Sequence, residues 1–154
     1  MMKYSSDGRH LTEQFEGCNL VSYQDQKGVW TIGYGHTFGV HAGMTCTQEQ
    51  ADAWLADDIA WAEQIVNDHV TVPLTQHEFD ALVDFVFNCG SGNFEHSTLL
   101  AKLNLGDYVG TATEFERWDK AGGQIVAGLL RRRLAEKQEF QMFDRPTDSE
   151  SDGK

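Results

Sequence analysis

Two carboxylic acids and a threonine lie close together near the start of the chain. Residues 16–36 read EGCNLVSYQDQKGVWTIGYGH and include Glu16, Asp25 and Thr31. A carboxyl group that keeps its proton beside one that stays ionised is the pattern expected of glycoside hydrolysis. The stretch therefore indicates either an active site or a polar surface hairpin without a chemical role.

The local structure predicted around each residue favours different protonation states. Glu16 falls in the last turn of a short predicted helix, where the negative end of the helix dipole and burial in a cleft both disfavour a charged carboxylate. A proton on Glu16 near neutral pH is what a general acid requires. Asp25 falls in a turn between two predicted strands, where solvent keeps it ionised, and the Thr31 hydroxyl is expected to help it hold a water. Taken singly, each residue is more commonly an ordinary surface residue or turn former.

The overall composition limits the classes of function. The 154-residue chain has 24 acidic and 12 basic residues, a net charge of −12 and a pI of about 4.7. This charge argues against a nucleic-acid partner. No apolar run approaches the length of a membrane span, and the polar start MMKYSSDGRHLTEQ lacks the apolar core of a secretory signal. We therefore expect no membrane insertion and a protein that stays where it is made.

The periodicity of apolar residues predicts an α+β architecture. Residues 20–46 lack helical spacing and carry β-branched and aromatic residues between turn signals, which predicts a small antiparallel sheet that includes VWTIGYGH and GMTC. A capping box at Thr47 begins a predicted helix over 47–68. The first helix and the sheet would form a lobe over 5–46, joined by the 47–68 helix to a larger helical lobe over 69–144. Two lobes with a joining helix leave a cleft between them.

Further signals divide the helical part of the chain. Ser6 or Asp7 can cap the first helix, and a second capping box precedes a strongly apolar helix that NCGSGN ends. Gly122 and Gly123 are expected to stop a later helix, and LLRRRLAEKQEFQMF predicts the last one. We interpret residues 1–144 as a single domain and the polar segment 145–154 as a disordered tail.

The active-site pattern resembles the signature of a known family. The spacing E-x8-D-x5-T followed at once by IGYGH is similar to the phage-type lysozymes, glycoside hydrolase family 24. The match continues in the family's order through MTCTQEQADAWLADDI, VPLTQHEFDALVDFVFNCGSGNF, STLLAKLN and GLLRRRLAE, so that it covers roughly residues 5–143. The pattern is closest to the endolysins of lambdoid short-tailed phages.

The resemblance implies a lysozyme-like fold and a specific reaction. Such enzymes hydrolyse the β-1,4 bond between N-acetylmuramic acid and N-acetylglucosamine in peptidoglycan, with inversion at the anomeric carbon. Glu16 would be the general acid, and Asp25 with Thr31 would position the attacking water. Inversion needs carboxyl groups far enough apart to admit that water. No cofactor or metal is implied.

The resemblance also suggests residues that contact the substrate. Asn88, in the family motif FNCG, would bind an N-acetyl group or cap its helix. His36 would organise the cleft floor or hydrogen-bond the turn, and Tyr34 would stack on a sugar or pack against the core. In the family an arginine of the last helix orients the catalytic glutamate. Arg132 is our first choice for that arginine and Arg131 the second, ahead of Arg133. Its charge would oppose the protonation argued above for the glutamate.

Cellular context follows from the same resemblance. Without an N-terminal anchor, the chain resembles the type that waits in the host cytoplasm, as a monomer, until a phage holin opens the inner membrane and gives access to peptidoglycan.

Cys18, Cys46 and Cys89 are expected to be free thiols, although a Cys18–Cys46 bridge beside the glycine-rich stretch is an alternative. The acidic charge predicts long-range repulsion from the anionic cell wall, screened beyond roughly 8 Å at physiological salt.

The sequence also allows three rival interpretations. A lytic transglycosylase needs only one acid, so the presence of Asp25 and Thr31 argues against it. A catalytically silent murein-binding module has no need for the complete set of Glu16, Asp25 and Thr31. A small helical protein with a polar hairpin is the least specific alternative, and the length of the family match argues against it.

Overall fold

The computed structural model describes residues 1–142, and the predicted α+β fold is confirmed there. The predicted tail and the last residue expected in the final helix lie outside the described part of the chain. Helices dominate the described residues, in the order α1 (Ser6–Glu16), α2 (Gln48–His69), α3 (Gln76–Cys89), α4 (Ser91–Glu95), α5 (Thr98–Asn104), α6 (Tyr108–Glu114), a 3₁₀ turn (Phe115–Trp118) and α7 (Ala127–Gln141).

The small sheet follows α1 directly. Strands β1 (Asn19–Gln24) and β2 (Trp30–Gly33) pair antiparallel, with Tyr23 opposite Thr31. The expectation of a further strand in GMTC is only partly met, because that segment contributes one isolated bridge, Val21 to Thr45. Two backbone hydrogen bonds hold it along β1, but the turns that precede it leave too few extended residues for a strand.

The capping boxes fix where the two longest helices begin. The Thr47 hydroxyl accepts the backbone N–H of Gln50 at 3.1 Å, and the Gln50 side chain accepts the backbone N–H of Thr47 at 3.1 Å. A reciprocal pair of bonds satisfies two donors that a helix start otherwise leaves open. The same arrangement at Thr75 and Glu78 begins α3. At α1 the cap is Ser5, not Ser6 or Asp7, because the Ser5 hydroxyl accepts the N–H of Gly8.

Helix α3 forms the centre of the helical lobe. Its sequence is apolar on nearly every side, as expected for a helix that other elements surround. Helices α1, α2 and α7 all pack against it. The buried residues of this core are Ile59, Ala62, Val66, Phe79, Ala81, Leu82, Val83, Phe85, Val86, Phe94, Leu99, Leu100, Leu103, Ala112, Phe115 and Phe140.

One local expectation for the later chain is confirmed and one is wrong. NCGSGN ends α3 at Cys89, as expected, and α4 begins at once after Gly90. Gly122 and Gly123 do not stop a helix; they form the turn of a hairpin between β3 (Lys120–Ala121) and β4 (Gln124–Ile125). Both glycines have positive φ, 58° and 80°, the combination that a two-residue hairpin turn requires.

Within residues 16–36, Glu16 and the β1–β2 hairpin pack against different helices. Helix α1 packs on α3 and α7, whereas the β1–β2 hairpin packs on α2 through β2. Gly17, with a φ of 68°, ends α1, and Cys18 completes the short link to β1. The fold therefore attaches Glu16 to the helical lobe and attaches Asp25 and Thr31 to the hairpin on α2.

Candidate active site

Glu16 is the last residue of α1 and points toward a buried arginine. Its Oε2 accepts a hydrogen bond from Arg132 Nη1 at 2.8 Å. The Glu16 side chain keeps 22% of its surface exposed, whereas that of Arg132 keeps only 6%. Of the three consecutive arginines, Arg132 is thus the one that reaches Glu16. Arg131 is exposed and Arg133 faces the core, because each step along a helix turns the side chain by about 100°.

A second carboxylate, on α3, holds Arg132 in place. Asp84 accepts from Arg132 Nε at 2.9 Å and from Nη2 at 2.8 Å, the two-pronged geometry that fixes a guanidinium plane. The Thr12 hydroxyl also donates to Asp84, at 2.7 Å, and Tyr4 hydrogen-bonds Thr12. Burial alone would raise the pKa of Asp84, but hydrogen bonds from Glu136 and Arg132 outweigh it and lower the pKa to about 2.

Asp25 lies in the exposed loop between β1 and β2. Its Oδ1 accepts the backbone N–H of Lys27 at 2.8 Å and that of Val29 at 2.9 Å. Thr31 is buried on β2, and its hydroxyl donates to the Val29 carbonyl at 2.9 Å. Asp25 and Thr31 therefore hold the N–H and the carbonyl of the same residue. The Thr31 oxygen keeps acceptor capacity for a further donor such as water.

The two aromatic side chains of TIGYGH contact α2. His36 is buried, its Nδ1 lies 2.8 Å from Asp58 Oδ2, and its ring stacks on Trp54 with centroids 4.6 Å apart. The Tyr34 hydroxyl accepts from Gln48 Nε2 at 2.9 Å. These side-chain contacts attach the turn after β2 to α2.

Asn88 lies apart from that turn, near the end of α3. It is exposed and borders a cavity of about 820 Å³, together with Gln14, Phe15, Leu129, Arg131 and Arg132. The cavity lies between the end of α1 and α7, whose lining residues run from Gly128 to Gln138. The structure thus brings Asn88 and Arg132 to one cavity, which His36 and Tyr34 do not line.

Comparison with known proteins decides the family. The model of the family described as Phage lysozyme matches residues 13–136. The chain belongs to the phage lysozyme family. The endolysin of Acyrthosiphon pisum secondary endosymbiont phage 1 is 46% identical over 144 residues, 91% of this chain and 99% of that protein. The endolysin of Salmonella phage P22 is 41% identical over 138 residues, 86% of this chain and 94% of the other.

A solved structure agrees with the family assignment. The muramidase domain of SpmX from Asticaccaulis excentricus superposes with a TM-score of 0.87 at 39% sequence identity, covering 93% of this chain and 100% of that one. The predicted resemblance and the lysozyme-like fold are thereby confirmed. This phage lysozyme is a glycoside hydrolase that acts on the peptidoglycan of the bacterial cell wall. The roles of its individual residues stay predictions.

Residues 1–142 contain neither a candidate membrane span nor a candidate metal site. None of the helices described there is both long enough and apolar enough to span a bilayer. Within the same residues, no three His, Cys, Asp or Glu side chains are grouped so that they could ligate a metal ion. Cys18, Cys46 and Cys89 are free thiols in the structure, so the alternative bridge between the first two is not formed.

Sequence analysis of this lysozyme missed Asp84, Thr12 and Glu136. One signal for Asp84 was available, because ALVDFVF places an ionisable residue inside an otherwise apolar helix. A charge in such a position is rarely buried unless it is paired. Its partner Arg132 lies 48 positions away in the sequence, and no local pattern connects the two.

A substitution at Gly35 tests how closely the turn after β2 approaches Glu16. A Cβ built at Gly35 would lie 3.3 Å from Glu16 Oε1, and φ at Gly35 is +85°. We expect Gly35→Ala to cost about 1 kcal/mol of unfolding free energy and to lower kcat as the carboxyl group shifts. Gly39→Ala is the matched control, because Gly39 has φ of +72° and nothing within 4 Å. Thermal unfolding should show similar losses of stability for both variants, and only Gly35→Ala should lose kcat. A kcat loss in both variants would contradict the prediction.

Proposed function

We propose that this phage lysozyme is an endolysin with N-acetylmuramidase activity. It cleaves the β-1,4 bond between N-acetylmuramic acid and N-acetylglucosamine with inversion. Glu16 protonates the leaving oxygen, while Asp25 and Thr31 position the attacking water on the opposite face of the sugar. The endolysin relatives support the role in host lysis.

The observation that carries the proposal is the contact between Glu16 and Arg132. Glu16 is partly exposed, whereas Arg132 and Asp84, the next two residues in this series of polar contacts, are buried. The exposed part of this carboxyl group can contact a substrate while the hydrogen bond from Arg132 fixes its position. A general acid requires this combination of access and fixed geometry.

The surroundings of Asp25 and Thr31 support the second part of the proposal. Asp25 is exposed and accepts two backbone N–H groups, so its free oxygen can accept a hydrogen bond from water. Thr31 reaches the same backbone segment from β2. In an inverting reaction this water attacks the anomeric carbon as the leaving group departs, so no covalent glycosyl-enzyme forms.

Four further residues complete the proposal. Asn88 binds an N-acetyl group of the glycan through its exposed amide, and Arg132 orients Glu16. For His36 and Tyr34 we retain substrate binding as a prediction. Their contacts with Asp58, Trp54 and Gln48 favour a positioning role instead, in which they hold the turn after β2 against α2.

Product analysis on purified peptidoglycan tests the reaction. We expect fragments with muramic acid reducing ends and, at early times, the α-anomer by NMR, since inversion of a β-glycoside gives that anomer. Fragments with 1,6-anhydro ends would assign the chain to the transglycosylases and remove the role of Asp25. Binding of peptidoglycan without any product from a folded sample would support the silent-module alternative.

We also propose how the enzyme reaches its substrate. It waits in the host cytoplasm as a monomer and acts on the wall after a holin opens the inner membrane. Expression with and without a holin tests this, because lysis should begin only when both proteins are present. Lysis by the enzyme alone would contradict the dependence, and sedimentation would reveal any dimer.

A further inference from the structure

A third carboxyl group, on α7, lies behind the pair formed by Asp84 and Arg132. Glu136 is fully buried and hydrogen-bonds Asp84. Its two oxygens accept from Arg133 Nε at 2.6 Å and Nη2 at 2.7 Å. Glu136 Oε2 also lies 4.0 Å from Arg132 Nε. Glu136 thus contacts both Arg133 and Asp84, the aspartate that holds Arg132.

The contact between Glu136 and Asp84 requires a proton. Two buried carboxyl groups within hydrogen-bond distance repel each other if both are ionised, and neither has a hydrogen to donate. Asp84 already accepts two hydrogen bonds from Arg132 and one from Thr12, which stabilises its anion. The proton therefore belongs on Glu136, which then donates to Asp84.

The charges around Glu136 are consistent with a neutral acid. Arg132 and Arg133 approach from α7, balanced by the anions of Asp84 on α3 and Glu16 on α1. Burial raises the pKa of Glu136, and Asp84 raises it further, against the opposite effect of Arg133. The Cys89 thiol on α3 accepts from Arg133 Nη1 at 2.7 Å. Burial raises its pKa to about 11, so it adds no charge at neutral pH.

We propose that Glu136 is a positioning residue for hydrolysis: as a neutral carboxylic acid it donates a hydrogen bond to Asp84 and thereby keeps the Asp84–Arg132 pair aligned on Glu16. The inference rests on the proposed role of Glu16 as the general acid. It assigns Glu136 no contact with substrate, because its side chain is closed off from solvent.

Two substitutions separate this role from a purely structural one. Gln keeps the length of Glu136, donates from its amide to Asp84 and accepts from Arg133, so kcat of Glu136→Gln should stay within about twofold of wild type. Asp is also an acid but is one methylene shorter and reaches Asp84 poorly. We expect Glu136→Asp to lower kcat at least about tenfold with little change in KM. Kinetics on soluble peptidoglycan fragments provide both constants.

Glu139 offers matched controls on the same helix. It pairs with His77 at 2.6 Å and has no contact with Asp84 or Arg132 among the interactions described. Glu139→Gln and Glu139→Asp should change the melting temperature without lowering kcat. A loss of kcat in these controls equal to that in Glu136→Asp would show that the effect is not specific and would overturn the proposal.

The pH dependence of stability tests the neutral state of Glu136 directly. Because its pKa is higher in the folded than in the unfolded chain, the stabilisation is complete below the ordinary value of 4.5 and is lost as pH rises toward the folded value. Gln does not titrate. We therefore expect the melting temperature of Glu136→Gln, relative to wild type, to rise between pH 5 and pH 8.

Each outcome bears on the proposal. A tenfold kcat loss in Glu136→Gln, or a relative melting temperature that is the same at both pH values, would show that the anion is the working form. Wild-type kcat in Glu136→Asp would leave Glu136 a structural residue, and failure of that variant to fold would count the same way. If Glu16→Gln kept full activity, the proposed role of Glu16 would fail independently of these results.

Discussion

Replacing Glu16 with Gln is expected to lower kcat by about a thousandfold or more while the fold remains intact. The reason is that Gln cannot supply the proton that the departing glycan oxygen needs, and general acid catalysis is worth about 10²–10⁴ in rate. Gln retains an oxygen that can accept from Arg132, and the side chain is partly exposed, so little stability is lost. Reducing-end release from peptidoglycan measures the rate, and thermal unfolding checks the fold.

The control for this prediction lies one turn earlier on α1. Glu13 is half-buried on the same helix, and no hydrogen bond or ion pair of its side chain is described. Glu13→Gln removes the same charge and should leave kcat unchanged. A Glu16→Gln variant with more than a tenth of wild-type kcat would exclude Glu16 as the general acid.

Replacing Asp84 with Asn should have the largest combined effect on stability and activity. Removal of one partner from a buried ion pair typically costs about 3–5 kcal/mol, because the other charge is left without compensation. For a chain of this size that lowers the melting temperature by roughly 10 °C. Since Arg132 loses its two-pronged support, its contact with Glu16 loosens, and kcat should fall at temperatures where the variant is still folded.

The pH dependence of the Asp84→Asn variant gives a second readout. The pKa of Asp84 is lowered from 3.8 to about 2 by folding, so its contribution to stability is present above pH 3.8 and is lost as pH falls through about 2. The difference in unfolding free energy between wild type and variant should therefore shrink from pH 5 to pH 2. A constant difference over that range would contradict the assignment.

Asp80 separates stability from activity in the same experiment. It is also fully buried on α3, one turn before Asp84, where it hydrogen-bonds Ser5 and Gln76 and has no described contact with Arg132. Asp80→Asn should reduce stability through the start of α1 and leave kcat of the folded enzyme unchanged. Equal kcat losses in the two variants would indicate general damage to the core.

The sequence predicts the elements of this fold well where one local rule dominates. The two capping boxes and the apolar spacing of α2 and α3 are short-range signals, and both helices begin where expected. The hairpin at Gly122–Gly123 was missed because two adjacent glycines either stop a helix or turn a hairpin. The choice depends on strands only two residues long, which show no alternation.

The candidate site divides in the same way. Glu16, Asp25 and Thr31 stand in one short stretch, where spacing and a family signature identify them together. The cluster that supports Glu16 consists of residues far apart in the chain, contributed by α1, α3 and α7. Only the packing of three helices makes them neighbours, and helix phase then decides which of three adjacent arginines faces Glu16.

Because α1 packs on the helical lobe and the hairpin packs on α2, the distance between the proposed acid and the proposed water site is an inter-lobe distance. In the sequence, α1 and the hairpin are joined by a short link, Gly17 and Cys18, which follows the end of α1. A glycan strand that touches both lobes adds a second connection and restricts the spacings available to them. The spacing that leaves room for one water between the carboxyl group and the sugar is then set in the enzyme–glycan complex. The length of the glycan substrate should therefore affect the rate as well as the affinity.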